Sequence, residues 1–403
     1  MGKRFQLLKM ASICVILFLA IASSTAIASE LQVPGDRNGD HTVSEDELAA
    51  AKEDQKSGKI SSDEFMQIEL IHDKYPIEVT DSTGSEITVY KPLERIVVFN
   101  NQVSEVMQIL NATDRIIGIA VSLKKDPLIA PEVKSLPDVG EVTEPDLEEV
   151  IKLDPDAVFD YSNTIFTKDE TFKKLKASNP DLVIFRVDLF RPESYVEEVE
   201  KLARILEKDE ESRGYIGFYQ GVLNQIHQET DSVPDEKRPR VYFEHSGEFG
   251  TAANGSGYHS DIVMAGGNNV FASLSAEYPT IDQETILQAN PEIIVKLYGH
   301  GSSTSSGGYI NDDTSEMEKV RETVIERPGG KDIDAVKNGR VYVLYGPLID
   351  GARHIIGVSY LAKIFYPDLL ADFDPEEVHQ KYLDFVGYEY DLSEHKAFVL
   401  PEL

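Results

Sequence analysis

The sequence predicts an α/β protein of two similarly built lobes joined by one long helix, preceded by a small EF-hand-like helical module. Three observations carry that expectation. Apolar β-type runs alternate with helical stretches from residue 95 onward, the pattern of parallel sheets covered by helices. A helix leading through a Pro turn into an apolar strand occurs once in each half, at 143–159 and again at 280–295. Between the halves, residues 197–233 contain no proline and carry Ile216, Tyr219, Val222, Leu223 and Ile226 at helical spacing.

The 403 residues exceed the roughly 100–200 that one domain usually holds, so two domains with appendages are expected. Apolar residues at 41% and charged residues at 27% are ordinary for a globular chain and exclude wholesale disorder. The excess of 71 Asp and Glu over 39 Lys and Arg gives a formal charge of −32, which repels phosphate backbones and argues against a nucleic-acid partner. Residues 1–28 read as a signal peptide. Lys3, Arg4 and Lys9 lead into the apolar run from Ala11 to Ala22, and Ala26-Ile27-Ala28 is a small-residue cleavage end. Export is expected, to the periplasm, the cell surface or the exterior, in association with the outer face of the cytoplasmic membrane. Cys14 lies within that run and is the only cysteine, so a mature chain starting at Ser29 has no disulfide, thiol nucleophile or thiolate metal site.

Residues 31–72 form the expected front module. The stretch DRNGDHTVSEDE, 36–47, has the spacing of a calcium loop. Asp36, Asn38 and Asp40 stand at positions one, three and five, the Thr42 carbonyl at seven, Ser44 at the water-linked nine, and Glu47 at twelve. A hard cation needs six or seven oxygens from one tight loop, and only the closing Glu reaches back with both of its own. His41 stands where Gly ordinarily makes the turn, which should weaken the site. A degraded second copy, EDQKSGKISSDE (53–64), keeps Gly58 and Glu64 but has Gln55 and Ser57 at ligand positions, and its Ile60 is expected to pair with Val43. The two loops resemble a dockerin-like or EF-hand-like module. An acidic solvated linker is the plain alternative.

In the body, 76–90 reads as a hairpin turning at Ser82-Thr83-Gly84. Strands follow at 95–99, 115–120, 156–161, 181–187, 240–245, 292–298 and 340–346. In the repeat, aligning Pro155 with Pro291 also aligns Asp146 with Asp282, Glu148 with Glu284 and Val158 with Ile294, which argues for two lobes of one design. The expected lobes are 77–207 and 238–385, with 208–231 as the joining helix and 386–403 as a tail. A continuous helix is stiff where a Gly/Ser linker would flap, so hinge motion should be restricted.

Several stretches together resemble a known family: KPLERIVVFNNQVSEVMQILNATDRIIGIA (91–120), VGEVTEPDLEEVIKLDPDAVFDY (139–161), SDIVMAGGNNVFA (260–272) and PTIDQETILQANPEIIV (279–295). The later segments IDAVKNGRVYVLYG (333–346) and GVSYLAKIFYPDLL (357–370) fit as well. The family is the solute-binding proteins of ABC importers that capture iron-siderophore, haem or cobalamin-type chelates. The resemblance spans roughly residues 77–385 and implies two Rossmann-like lobes on one long helix, the class III periplasmic-binding-protein arrangement. It further implies a membrane permease as partner, a monomer, no catalytic cofactor, and a ferric chelate as the transported ligand, with a corrinoid or haem as alternatives.

Ligands of open α/β sheets sit beyond the carboxyl ends of the strands, and in a clamp both sets of ends face one cleft. The first lobe then offers Asn100, Asn101, Tyr161 and Arg186. The second offers Glu244, His245, Tyr258, His259, Tyr298, His300, Tyr345 and Arg353, with His354 beside them. Tyr gives flat contact and a hydroxyl, Arg grips carboxylate or phosphate in a fork, and Tyr or His can ligate iron or cobalt. With 18 tyrosines in the chain, some fall near strand ends by chance. His227, His379 and His395 are expected on the surface. In the resembled family one exposed acid per lobe docks onto permease arginines, which implies Glu148 and Glu284, with Glu144 as a neighbouring substitute. The Gly/Ser-rich loop 299–313 is expected to be mobile and able to cover a ligand. Asn111 and Asn254 begin glycosylation sequons. A secreted hydrolase is disfavoured, since neither HExxH nor GxSxG occurs; a calcium-dependent adhesion or scaffold protein is the other competing class.

Overall fold

A computed structural model describes residues 31–163, 169–245, 247–299 and 306–403. The leader expected at 1–28 and the candidate His300 lie outside the described residues.

Two helices stand in front, α1 (Glu45–Lys56) and α2 (Ser62–Lys74). Each opens on a reciprocal cap: the hydroxyl of Ser44 or Ser61 accepts from the N–H of Glu47 or Glu64, whose carboxylate accepts from the serine N–H. The expected Val43–Ile60 pairing does not form; no bridge joins them among the described residues. Each lies one residue before a helix cap. Val43 is instead buried with Ala51, Ile68 and Ile71.

The hairpin β1 (Ile77–Thr80) and β2 (Glu86–Val89) pairs antiparallel, with Ile77 opposite Val89. The first lobe is then built on β3 (Ile96–Val98) and β4 (Ile116–Ile119), a two-residue pair β5 (Gly140–Glu141) and β6 (Glu144–Pro145), and β7 (Ala157–Asp160) and β8 (Val183–Arg186). Its four-stranded sheet has the order β4-β3-β7-β8, all parallel. The helices around it are α3 (Asn101–Ile109), α4 (Pro131–Lys134), α5 (Leu147–Lys152), α6 (Asp169–Ser178) and α7 (Pro192–Ile205). Every residue of β7 is buried, as expected of a parallel strand covered on both faces.

The proline-free stretch forms α8 (Asp209–Thr230), 22 residues that run between the two sheets in sequence. Its stripe of Tyr215, Tyr219, Val222 and Ile226 is buried. The second lobe contains β9 (Arg240–Glu244), α9 (Gly257–Met264), β10 (Asn268–Asn269), α10 (Gln283–Ala289), β11 (Ile293–Tyr298), α11 (Ser315–Ile325), α12 (Asp334–Lys337), β12 (Val341–Tyr345), α13 (His354–Phe365), α14 (Pro375–Val386) and β13 (Val399–Leu400). Its sheet order is β10-β9-β11-β12-β13, parallel except for β13. Strand alternation sorts its core: Val241, Phe243, Ile293 and Val295 join the main core, while Tyr242 and Ile294 face a second cluster with Phe271, Ile286 and Val324. The repeat is visible in three dimensions, with α5 entering β7 and α10 entering β11, each helix capped by its aspartate, Asp146 or Asp282.

Three expectations are corrected by packing. Residues 386–403 are not a free tail, because Val399 pairs with Leu344 and Phe398 is buried against Tyr309 and Tyr345. The described part of the loop 299–313 is not a lid: Ser306 and Tyr309 are buried, and Gly308 lies so close to the Tyr345 ring that an added Cβ would sit 2.4 Å from it. His379 is not on the surface. It is fully buried, with Nε2 2.6 Å from the Tyr309 hydroxyl and Nδ1 3.4 Å from that of Tyr360. His227 and His395 are part-buried, beside the Met264 carbonyl and Asp312.

Burial pushes the His379 imidazole down from its ordinary 6.5 to about 3, with the Arg353 charge acting in the same direction, and burial takes His354 down to about 4. In the unfolded chain both take up a proton near 6.5, so their contribution is complete above that pH and is lost as the pH falls toward those lower values. For His379 the full loss is about 3–5 kcal/mol. The unfolding free energy of the protein minus that of His379→Gln should therefore shrink as the pH drops from about 7 to about 4. A constant difference would mean that the folded state already holds a protonated imidazole.

Candidate functional site between the lobes

Beyond β3 and β7, Asn101 and Tyr161 meet. The Asn101 N–H donates to the Tyr161 hydroxyl at 3.3 Å, and that hydroxyl donates to Asn101 Oδ1. Burial raises the Tyr161 pKa, and Asp160, Asp350 and Asp126 add negative charge around it, so the phenol stays neutral. Asp350 belongs to the second lobe, which places Tyr161 at the divide. Asn100 has another task. It is fully buried, its Oδ1 accepts from the Gln102 and Val103 N–H groups, and its Nδ2 donates to the Val187 carbonyl at 2.8 Å. Arg186 is held likewise, donating to the Tyr161 and Ser162 carbonyls and to Asp169, with its guanidinium over the Phe172 ring. These two side chains support the wall that Asn101 and Tyr161 present.

The opposite wall is aromatic. His245 stacks on Tyr258 at 5.8 Å and 28°, and Tyr278 meets both edge-on at 5.7 and 6.1 Å. Phe243 backs Tyr258 at 5.2 Å, and the Tyr258 hydroxyl donates to Asp350 Oδ1 at 3.1 Å. Burial raises the Tyr258 pKa, with Asp350 adding to it, which keeps that donor protonated. His259 lies next on α9, with Nδ1 3.2 Å from Asn269 Nδ2. It lines a cavity of about 680 Å³ between the starts of α7 and α9, with Arg191, Glu193 and Asn254. Burial lowers its pKa, and Glu193 opposes this.

The other candidates turn inward, because consecutive strand residues face opposite sides. Glu244 points with Tyr242 to the back of the sheet, where Arg327 grips it at 2.6 and 2.8 Å, Lys296 lies 3.0 Å away and the Tyr242 hydroxyl donates at 2.6 Å. Burial works against its charge, but the Arg327 hydrogen bonds and the Lys296 charge outweigh it and hold the carboxyl below its usual value. Tyr298 is buried with its hydroxyl donating to Glu316 and to the Ser306 carbonyl. Tyr345 packs under Gly308, and burial pushes its pKa up to about 12.

Arg353 fastens the lobes together. Its Nε donates to Glu105 Oε1 and its Nη2 to Asp126 Oδ2, both at 2.7 Å, and the Tyr382 hydroxyl donates to the same Glu105 oxygen at 2.5 Å. Glu105 and Asp126 come from the first lobe, Arg353 and Tyr382 from the second. The two carboxylates keep Arg353 cationic despite its burial. Gly351 allows this approach: its φ is +53°, and a Cβ there would lie 2.2 Å from Gln102 Cγ of the first lobe. His354 is buried beside it, with Nε2 2.6 Å from the Tyr219 hydroxyl.

Two sheets, one long helix and a divide at the strand ends are thus in place, and the periplasmic binding protein profile matches residues 96–347. The chain belongs to the periplasmic binding protein family. It is 26% identical over 226 residues to a cobalamin-binding protein of Halobacterium salinarum, covering 55% of this chain and 58% of that one. It thus spans little more than half of that relative. It is 22% identical over 336 residues to the molybdate-binding protein MolA of Haemophilus influenzae, 75% of this chain and 89% of MolA. Among solved structures, the TroA-like periplasmic binding protein FepB of Veillonella parvula superposes with a TM-score of 0.67 at 23% identity, over 81% of this chain and 99% of its own. MolA bound to molybdate superposes at 0.61 and 20%, over 78% and 99%. These relatives are solute-binding transport components and not enzymes.

Against this family frame, Glu148 and Glu284 occupy matched places. Each is exposed and is the second residue of its helix, α5 or α10, behind the capping aspartate. Glu144 is exposed nearby in β6. The family match leaves out the front module. There Asp36 accepts from the N–H groups of Asn38, Gly39 and His41, Asp40 accepts from Thr42, and Glu47 accepts from Arg37, Asn38 and Ser44. Among the described residues no three His, Cys, Asp or Glu side chains are placed to hold a metal ion. The Ser44–Glu47 and Ser61–Glu64 spacings that read as calcium-loop positions are accounted for locally as helix caps. No helix among the described residues is long and apolar enough to cross a membrane.

Sequence reasoning missed Asp350, Tyr278 and Gln102. Asp350 had a signal, being just past the end of β12, whereas Tyr278 comes from a loop far from any strand end.

Proposed function

We propose that the chain is the solute-capturing component of an ABC importer, working outside the cytoplasmic membrane and holding a metal chelate or corrinoid between its lobes. What supports this reading most is the pairing of two preformed walls, Asn101 and Tyr161 on one lobe and His245, Tyr258 and Tyr278 on the other. Flat aromatic faces with few charges suit a large, rigid complex, and the clasp at Arg353 reduces the ordering cost of capture. The cobalamin-binding relative favours a corrinoid beside the ferric chelate that the sequence suggests. A thermal-shift screen of ferric chelates, haem and corrinoids tests it, since a ligand at 100-fold its Kd stabilises by about 2.7 kcal/mol. No shift with any of them would overturn it.

Delivery is proposed to use Glu148 and Glu284 against permease cations. Reversing both, Glu148→Arg with Glu284→Arg, should abolish uptake in a reconstituted importer while leaving solute affinity within about twofold. Unchanged uptake would remove the docking role.

A second reading concerns the front module. His41 holds a φ of +65°, the left-handed geometry a calcium loop needs at its sixth position, with its ring 5.2 Å from Tyr90. We infer that Asp36, Asn38, Asp40, the Thr42 carbonyl and Glu47 are the oxygens that take calcium. Millimolar calcium should then bind by calorimetry, and Asp36→Ala should remove the heat. No heat in the unaltered protein would leave these residues with capping and turn roles only.

A further inference from the structure

On the reading that the divide holds a chelate, a second compartment beside the aromatic wall takes a different part of it. This is the cavity of about 680 Å³ between the starts of α7 and α9, lined by Arg191 and Glu193 of the first lobe and by Asn254, His259 and Ser260 of the second. Its two sides are close. The Ser260 hydroxyl donates to Glu193, and a Cβ added at Gly257 would lie 3.0 Å from the Phe190 carbonyl. The Gly257 N–H also donates to the Tyr278 hydroxyl at 3.4 Å, so the cavity adjoins the wall that Tyr258 and Tyr278 form. Burial raises the Tyr278 pKa, and the nearby Arg191 charge works against that rise.

The groups left to a guest there are donors. Arg191 is 43% exposed and its guanidinium makes no hydrogen bond among the described residues; Asp188, at 3.8 Å, is too far for one, and the Phe190 ring lies 5.3 Å away. His259 supplies a second donor, for a reason two residues removed. The Asn269 amide is oriented by its neighbours, with Oδ1 accepting from the Phe271 N–H at 3.0 Å and Nδ2 donating to the Ala252 carbonyl at 2.9 Å. Nδ2 is therefore the atom 3.2 Å from His259 Nδ1, which accepts, and the ring proton stays on Nε2. The carboxylates of the lining are engaged, Glu193 by Ser260 and Glu197 by Lys201 at 2.7 Å. A guanidinium fork with its N–H groups unspent matches a carboxylate or phosphate, and an imidazole N–H adds a further contact.

We propose that this cavity holds an oxyanion arm of the captured chelate, the phosphate of a corrinoid or the carboxylate of a haem, gripped by Arg191 and His259 while the macrocycle lies against Tyr258 and Tyr278.

Calorimetry with matched pairs tests this: cyanocobalamin against dicyanocobinamide, which lacks the nucleotide phosphate, and haem against its dimethyl ester, which lacks the free carboxylates. In at least one pair the member with the oxyanion should bind at least about tenfold more tightly. Arg191→Gln should shrink that margin to below about twofold, and Arg191→Lys should keep part of it, since a point charge attracts without the fork. The melting midpoint of each variant reports whether it has folded. Equal affinities within both pairs, or a margin that survives Arg191→Gln, overturn the oxyanion subsite and leave the carrier reading standing. Inorganic phosphate that binds by itself without displacing cyanocobalamin or haem would put a free anion in the cavity and overturn the arm. No binding by any of the four chelates overturns this proposal, whereas the carrier reading falls only if ferric chelates fail as well.

Discussion

Replacing Arg353 by alanine is expected to destabilise the protein by about 3–5 kcal/mol, because it leaves Glu105 and Asp126 without their cation at a buried interface. The side chains of Arg353 and Glu105 are each only 4% exposed, so solvent cannot replace the lost partner. Removing both charges, Arg353→Met with Glu105→Gln, should cost clearly less than the sum of the single changes, since no unpaired charge remains against Tyr382. Urea unfolding of the three variants measures this directly. A single-variant loss below about 1 kcal/mol would show that the interface relaxes and lets water in, and the rigid clasp would then be wrong. The ion pairs are weak evidence for net stability, but they connect α3 of the first lobe to α13 and α14 of the second. Their stronger consequence is restricted lobe motion.

The second large effect is expected in binding. Tyr258→Ala should weaken the solute found by the screen by about 30-fold or more, corresponding to roughly 2 kcal/mol for a central aromatic contact. Three things leave together: the ring that His245 stacks on, the face toward Tyr278, and the donor to Asp350. Tyr298→Phe is the control. Its hydroxyl serves Ser306 and Glu316 inside the second lobe, so affinity should stay within about twofold. Titration calorimetry on both variants decides between the two sets of strand-end residues. Equal losses would mean that the solute reaches the Tyr298 side and that the wall is wrongly placed.

That contrast shows how far strand-end reasoning reaches. The rule that ligands sit beyond parallel strands led to the ends of β3, β7, β8, β9, β11 and β12. It could not choose between neighbours. Glu244 and His245 are adjacent, yet one points to Arg327 behind the sheet and the other to Tyr258 in front, since alternation sends them to opposite faces. Asn100 and Asn101 divide in the same way into a helix cap and a residue at the opening. The Ser-x-x-Glu spacing in the front module posed a different ambiguity, because calcium closure and a helix cap require the same residues.

Local order was readable because it depends on neighbours along the chain. Apolar runs, proline turns, aspartate caps and the proline-free stretch of α8 each bias a few residues without needing a distant partner. The repeat was readable for the same reason, since both copies obey one local pattern. What only the tertiary structure decided is which polar side chains have partners from far along the chain. Arg353 meets Glu105 across about 250 residues, His379 is buried by Tyr309 and Tyr360, and Tyr345 lies beneath Gly308. Whether a Tyr, His or Arg faces a guest or holds the scaffold depends on that pairing, because a buried polar group must be satisfied by whatever packing brings within hydrogen-bond reach.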